Sequence, residues 1–378
     1  MKRGITAAFL GVLLAAPFTT ACSDNNTAEY DKEITVDDTA STTAEDTNDE
    51  TVEATTKRSE KKPSKMADIS ADIGEPEAVN SDNRSQVLFV MDDGSYVYPM
   101  FKSGTDAPEK VYVRDDGKGK TEELKLPENS LVYYSDGKKM YYYSPDEGLC
   151  EYDDGKSKPL NKETKTDDGY IPEREAFLFT EDEIFFAASD ENGTVIKSMD
   201  YSGELSDASY PIDRVNARII GLAEINGDMC MLCGYSVGTS ETITAVGSNG
   251  SMDDISSGNN AYISGDYIYY TRLAELYRKP ISGGDEEKVT EEKCADYCFF
   301  GDDIIFADAT DVYSLDKNGK AKKIFGADKL TKCDYISRVC AVGDKLFVSG
   351  GSAAFWSCIA EIDKDGKLVK EYQNGIER

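Results

Sequence analysis

Residues 265–290 read GDYIYYTRLAELYRKPISGGDEEKVT. Gly265 and Asp266 open the stretch with turn chemistry, because glycine accepts the positive φ that tight primed hairpins require. A run of β-formers follows from Tyr267 to Arg272, a second from Glu275 to Ile281, and, after a glycine turn at Gly284, a short one from Glu286 to Thr290. With Ala261 to Ser264 in front, the segment reads as four antiparallel strands, A to D, and it carries no sustained helical period.

The same unit recurs along the chain. Aligned on the first turn, seven starts fall at Gly94, Gly137, Glu181, Gly227, Gly265, Gly301 and Gly343, separated by 43, 44, 46, 38, 36 and 42 residues. Three residues past the turn every unit is apolar (Val97, Met140, Ile184, Cys230, Ile268, Ile304, Leu346), and the next position is Tyr, Phe, Met or Ile in all seven. A second glycine recurs 18 to 23 residues after the first turn, from Gly117 to Gly366. Four strands in about 42 residues, repeated seven times, is the period of a β-propeller blade. The expected fold is therefore all-β, a seven-bladed propeller over residues 81–378, with six blades plus an insertion, or eight, as alternatives. Strand A of the first blade (87–91) and strand D of the last (367–372) would let the ring close blade to blade.

The blade stretch 265–290 resembles the YWTD-type propellers related to the low-density lipoprotein receptor, in the versions found on lipoproteins of clostridia and their relatives. At the Tyr-Trp-Thr-Asp position this chain has Tyr269, Tyr270, Thr271 and Arg272, elsewhere Ile305, Phe306, Ala307 and Asp308. The resemblance implies a propeller that displays loops and transfers no catalytic residue.

The N-terminus reads as an address. Lys2 and Arg3 precede an apolar stretch from Ile5 to Phe18, too short to span a bilayer comfortably and laid out as a secretory signal. Thr19, Thr20, Ala21 and Cys22 resemble a bacterial lipobox, so residues 1–21 are expected to be removed and Cys22 to be acylated. Residues 22–80 read as an acidic tether: between 23 and 56 there are eleven acids and one base in a background of Thr, Ser, Asn and Ala. Such a segment cannot bury enough apolar area to offset its ordering entropy. The implied location is the outer face of the cell membrane, with the lipid anchor as the membrane contact.

Composition removes whole mechanisms. The 378 residues include no histidine, which excludes Ser-His-Asp and Cys-His nucleophiles and His-ligated metals. A net charge of −30, from 72 acids against 42 bases, makes nucleic acid a poor partner, since that affinity comes from Lys and Arg. No cofactor or metal motif is present: the Asp-Asp pairs mostly precede turn glycines and read as turn chemistry rather than calcium ligands.

Nine cysteines leave eight after acylation, an even number in an exported protein. Cys230 and Cys233 lie three apart in one strand, so they face opposite sides and read as core residues. Cys298 and Cys340 occupy equivalent strand-A sites of adjacent blades, too far apart to bridge, whereas Cys294 and Cys333, in successive D-to-A loops, are the conceivable pair.

In a blade the B-to-C and D-to-A connections share one face and the glycine turns the other. The first set is expected to hold the longer loops (99–108, 144–148, 188–193, 234–241, 271–275, 308–311 and 349–355), where binding residues concentrate. Asp190, Glu191, Tyr235, Arg272, Glu275, Asp308, Asp311 and Trp356 are the candidate ligand-binding residues there. Recurring acids on that face form either a solvated rim or a ring for a cation, a basic peptide or a glycan. Trp356, if exposed, is a stacking platform; if buried, it packs the closing blade. The reading that follows is a monomeric, non-catalytic binding or scaffolding module for a peptide, an envelope protein or a cell-wall glycan. A carboxylate-dependent propeller enzyme (lyase, cyclotransferase or glycoside-acting) is the alternative.

Overall fold

The computed structural model describes residues 88–372 except 103–108, 167–170, 173, 191–192, 213–216, 238–239, 302, 317–318 and 353–357. Seven four-stranded antiparallel sheets follow one another along the chain and form a ring. The blades span residues 89–123, 131–159, 177–212, 218–257, 259–288, 296–326 and 335–372. In each the four strands pair in sequence order, so A lies at the inner edge and D at the outer.

The two consecutive apolar positions of the repeat have a direct physical reason. A blade is sandwiched between two neighbours, so successive strand residues, which point to opposite faces, must both be buried. In the fifth blade Ile268 and Tyr270 pack with Leu232, Ile243 and Ala245 of the fourth, while Tyr269 packs with Tyr297, Phe299 and Phe306 of the sixth. Cys233 and Cys230 divide in the same way, one toward each neighbouring blade.

The turns follow the glycines. Asn226 and Gly227 are both left-handed, at φ 54° and 85°, as a type I′ hairpin requires. Gly366, at φ 77°, has a further constraint, because a Cβ there would sit 1.9 Å from the backbone oxygen of Ile324 in the preceding blade.

Both end blades are built from consecutive strands, so among the described residues no strand crosses the seam between the seventh and the first. Side chains close it. Tyr372 packs edge-on to Tyr96 and Tyr98 at 5.5 and 5.3 Å, Phe347 and Cys340 extend the cluster, and Lys370 pairs with Asp115 at 2.9 Å.

Two expectations are corrected here. The B-to-C loops are shorter than read from sequence: in the fourth blade strand B runs Asp228–Val237 and strand C resumes at Ser240, with Tyr235 paired to Thr242 and Glu241 to Ser236. The hydrogen-bonded ladder thus absorbs most of 234–241. The disulfide joins Cys333 to Cys358, not to Cys294, with Cα atoms 6.2 Å apart. Cys358 begins strand C of the same blade and meets the incoming D-to-A segment, a proximity that a strand-by-strand spacing argument does not reveal.

Candidate functional site

Where the inner strands begin, polar side chains from several blades converge around a cavity of about 200 Å³. Arg218 and Asp296 head the inner strands of the fourth and sixth blades, Asn260 is the second residue of that of the fifth, and Ser337 and Arg338 are the third and fourth residues of that of the seventh. Glu175, just before the third blade, and Glu241, at the start of strand C in the fourth, complete the polar lining. This is the B-to-C and D-to-A face.

Backbone irregularity aims these groups. The ladders slip between Ile219 and Gly221, between Asn259 and Tyr262, and between Ile336 and Arg338. The extra residues Ile220, Asn260, Ala261 and Ser337 all line the cavity. A bulge breaks strict alternation and re-aims side chains, a device common next to binding sites. Asn260 itself lies in the left-handed region at φ 52°, and its amide nitrogen donates to the carbonyl of Ala295 at 3.4 Å.

The buried carboxylates are committed to the scaffold. Glu241, 5% exposed, pairs with Arg218 at 2.7 Å across strand B. It reaches over Gly234, where a Cβ would stand 3.3 Å from its carboxylate oxygen. Asp296, equally buried, accepts the N–H of Val339 at 2.9 Å and so ties the sixth inner strand to the seventh beside the bulge. The guanidiniums are more accessible: the Arg218 side chain is 32% exposed and Arg338 is exposed.

The candidates named from sequence lie elsewhere. Tyr235 is buried, with its hydroxyl bonded to Thr244 and to Asp254 at 3.2 Å. Arg272 pairs with Glu286 and stacks over Tyr277 at 4.5 Å. Glu275 accepts the Tyr277 hydroxyl at 2.7 Å. That bond, followed by Lys288 and Lys293, outweighs the small desolvation penalty and holds its carboxyl down at about 2. Burial would raise the Asp308 carboxyl, but the N–H groups of Thr310 and Asp311 and the hydroxyls of Thr310 and Tyr313 outweigh it and lower the pKa. Asp311 pairs with Lys323 at 2.8 Å. These groups form separate clusters within the fourth, fifth and sixth blades rather than one ring. Asp190 ends strand B of the third blade, and its side chain lies outside the described residues, as do Glu191, Trp356, Cys22 and the whole of 1–87.

Sequence reasoning missed Arg218, Asp296 and Arg338, although a signal exists for the last two. Five residues before the first turn the seven units read Phe89, Val132, Ala176, Leu222, Asn260, Asp296 and Arg338. The column is apolar in four blades and polar in three. Among the described residues no group of three or more Cys, Asp or Glu side chains has the arrangement of a metal site.

No family model matches the sequence, and no curated protein matches it. Solved structures do match. The β-propeller domain of the Trilobed protease from Pyrococcus furiosus, described as having an open velcro topology, aligns at 13% identity and TM-score 0.50, over 76% of this chain and 99% of that one. A puromycin hydrolase S511A mutant complexed with PGG aligns at 12% identity and TM-score 0.50, over 76% of this chain and 54% of that one. Acylaminoacyl peptidase from Pyrococcus horikoshii aligns at 12% and 0.50, over 77% and 54%. The chain spans about half the length of the hydrolase and of the peptidase. At these identities the likeness is one of fold.

Proposed function

We propose that the chain is a lipid-anchored surface protein of the YWTD-propeller kind whose propeller is a non-catalytic binding module, holding a segment of peptide or protein where its inner strands begin. The observation that carries this reading is the cavity itself. Polar groups from four blades converge on it, three of these blades carrying a bulge at that point, while its two buried carboxylates are engaged with Arg218 and with the Val339 N–H. A carboxylate enzyme needs an acid and a base that meet substrate; here the two buried acids hold the scaffold together, which leaves Glu175 as the one partly exposed carboxylate among the described lining residues. The volume, about 200 Å³, is below the roughly 300–1,000 Å³ that encloses a free small ligand. The cavity therefore grips part of something larger. Among the described residues the lining is polar and aliphatic, with guanidinium, amide, hydroxyl and carboxylate groups of the kind that pair with the backbone and side chains of a polypeptide.

The signal-like N-terminus, Cys22 and the acidic stretch behind it support display outside the membrane. Cys22→Ala should release the protein to the medium, and retention of that variant on membranes would refute the anchor. The binding face is tested with a photo-crosslinking residue at Ser337 or, on the opposite face, at Lys118, in the full-length protein within native envelopes. Polypeptide adducts are expected from position 337 and not from 118. Equal adducts from both positions, or adducts from 118 alone, would reject the cavity as the binding site.

A further inference from the structure

We infer that Leu273, at the tip of the B-to-C turn of the fifth blade, is an anchor for the polypeptide that enters the cavity, packing against an apolar side chain about four residues along that polypeptide. The inference rests on the binding-module reading above and adds a second contact to it. Leu273 is 88% exposed, against 38%, 46% and 56% for Leu205, Tyr335 and Val369, the other large apolar side chains exposed among the described residues. It also lies in the left-handed region at φ 54°, followed by Ala274 at φ 56°. The other non-glycine residues of the described chain in that region are Asn, Asp or Ala. The Cβ of a left-handed residue crowds the following carbonyl, and Asn or Gly would close the same turn with less strain. At its exposure Leu273 gains almost no packing from the fold to offset that strain.

The backbone of the turn has a structural task that the leucine side chain does not serve. The Ala274 carbonyl accepts the N–H of Cys294 at 2.9 Å and ties the turn to the segment entering the sixth blade. The sixth blade repeats this brace with a small left-handed residue, Ala309, whose carbonyl accepts the N–H of Ile336 at 2.7 Å. The leucine side chain is thus left standing on a fixed base. On one side of the turn Arg272 pairs with Glu286 and stacks over Tyr277; on the other Glu275 accepts the Tyr277 hydroxyl and faces Lys288 and Lys293. A fixed apolar knob inside a rim of polar groups engaged with one another is the layout of a binding anchor, because little loop entropy is lost when a partner covers it. Its position selects the partner. Cys294, which the turn holds, is followed by Ala295 in the cavity lining. Two Cα steps of about 3.8 Å and one hydrogen-bonded contact place Leu273 within about 14 Å of Ala295, the reach of about four residues of extended chain. The cavity, about 200 Å³, has room for roughly one residue, so a polypeptide held there continues over the surrounding surface. Over the fifth blade the large apolar side chain exposed to it is Leu273.

The test uses full-length protein in native envelopes, with an apolar diazirine residue at position 273 beside the crosslinker at 337. Adducts from the two positions should map to one polypeptide, at attachment sites no more than about eight residues apart once the width of the cavity is included. A synthetic peptide spanning those sites is then titrated against wild type and Leu273→Asn. Asparagine relieves the left-handed strain, so the Tm of the variant should rise by about 2 °C. Its affinity for the peptide should fall about ten- to a hundredfold, the loss of one buried leucine side chain. Opposite signs in the two measurements separate an anchor from a residue that supports the fold. Adducts from 337 alone, or adducts from 273 to lipid, to a second copy of this chain or to a polypeptide that 337 does not touch, overturn the anchor and leave the binding-module reading standing. An unchanged affinity in Leu273→Asn, or a fall in both affinity and Tm, does the same. Absence of polypeptide adducts from 337 overturns both.

Discussion

Replacing Tyr372 by alanine should unfasten the ring at one seam. Tyr372 is 2% exposed and stands in the last strand of the last blade, yet its ring contacts are Tyr96 and Tyr98 of the first blade and Phe347 of its own. Its hydroxyl donates to Glu361 at 3.0 Å, and Lys370 lies over its ring at 4.4 Å while pairing with Asp115. Removing a buried aromatic to Ala costs about 3–5 kcal/mol. With an unfolding entropy of about 2.1 cal/mol/K per residue over roughly 285 residues, that corresponds to a fall in Tm of about 5–8 °C. Tyr372→Phe keeps the packing, loses one hydrogen bond to a charged group and should cost only about 1.5–3 kcal/mol. The distribution of the effect matters more than its size. Because side chains close the seam and no strand of the described residues bridges it, amide exchange in Tyr372→Ala should accelerate in blades one and seven and stay near wild type in blades three and four. A Tm within about 2 °C of wild type, which is about 1 kcal/mol here, would refute the reasoning, as would exchange that rises equally around the ring.

Other consequences of the packing can be measured directly. Gly366→Ala, whose Cβ would fall 1.9 Å from the Ile324 oxygen, should destabilise by about 3 kcal/mol or more, against about 1–2 kcal/mol for Gly265→Ala, where the added Cβ meets open space; denaturant midpoints decide. Reducing the Cys333–Cys358 bridge, which closes a sequence separation of 25, should remove about 3.5 kcal/mol and lower Tm by about 6 °C; an unchanged midpoint in the Cys333→Ala, Cys358→Ala double variant would contradict it. Glu275 is held at about 2 in the fold against 4.5 ordinarily, so between those values the unfolded chain binds more protons. Its contribution is therefore present above pH 4.5 and lost as pH falls toward 2. The stability difference between wild type and Glu275→Gln should shrink across that window, and a difference independent of pH from 7 to 2 would refute the pairing.

The fold was legible because blade packing writes itself into every repeat. Ile268 and Tyr269 had to be apolar together, since one faces the fourth blade and the other the sixth. Gly227 had to accept positive φ to close its hairpin. What lay beyond reach was contact between segments of different repeats, or between non-neighbouring positions within one. Cys358 meets Cys333 across a blade, and Glu241 reaches Arg218 only because Gly234 leaves room in the strand between them. Loop length misled for a related reason. The 234–241 segment has the Gly, Ser and Thr content of a loop, and its pairing as a ladder is decided by the partner strand rather than by its own composition.

The site was legible in principle through the places where the repeat fails. Any position that each blade needs for packing will read alike in all seven, so a column that keeps its character over part of the ring and abandons it elsewhere carries a second requirement. Five residues before the turn, Phe89, Val132 and Leu222 enter the apolar clusters between blades. At the same position Asn260, Asp296 and Arg338 line the cavity instead. Two of these three stand at or beside a bulge, which is how a strand built for packing can turn a polar side chain out of the packed layer without losing its ladder. Apolar residues there would have given three more well-packed blades. The polar ones leave a cavity with buried charges that must be held by other parts of the fold, through Arg218 for Glu241 and through the Val339 N–H for Asp296. Burying charge in this way is weak evidence for stability and better evidence for a specified geometry. The asymmetry of the ring thus singles out blades four to seven, where the proposed binding site lies.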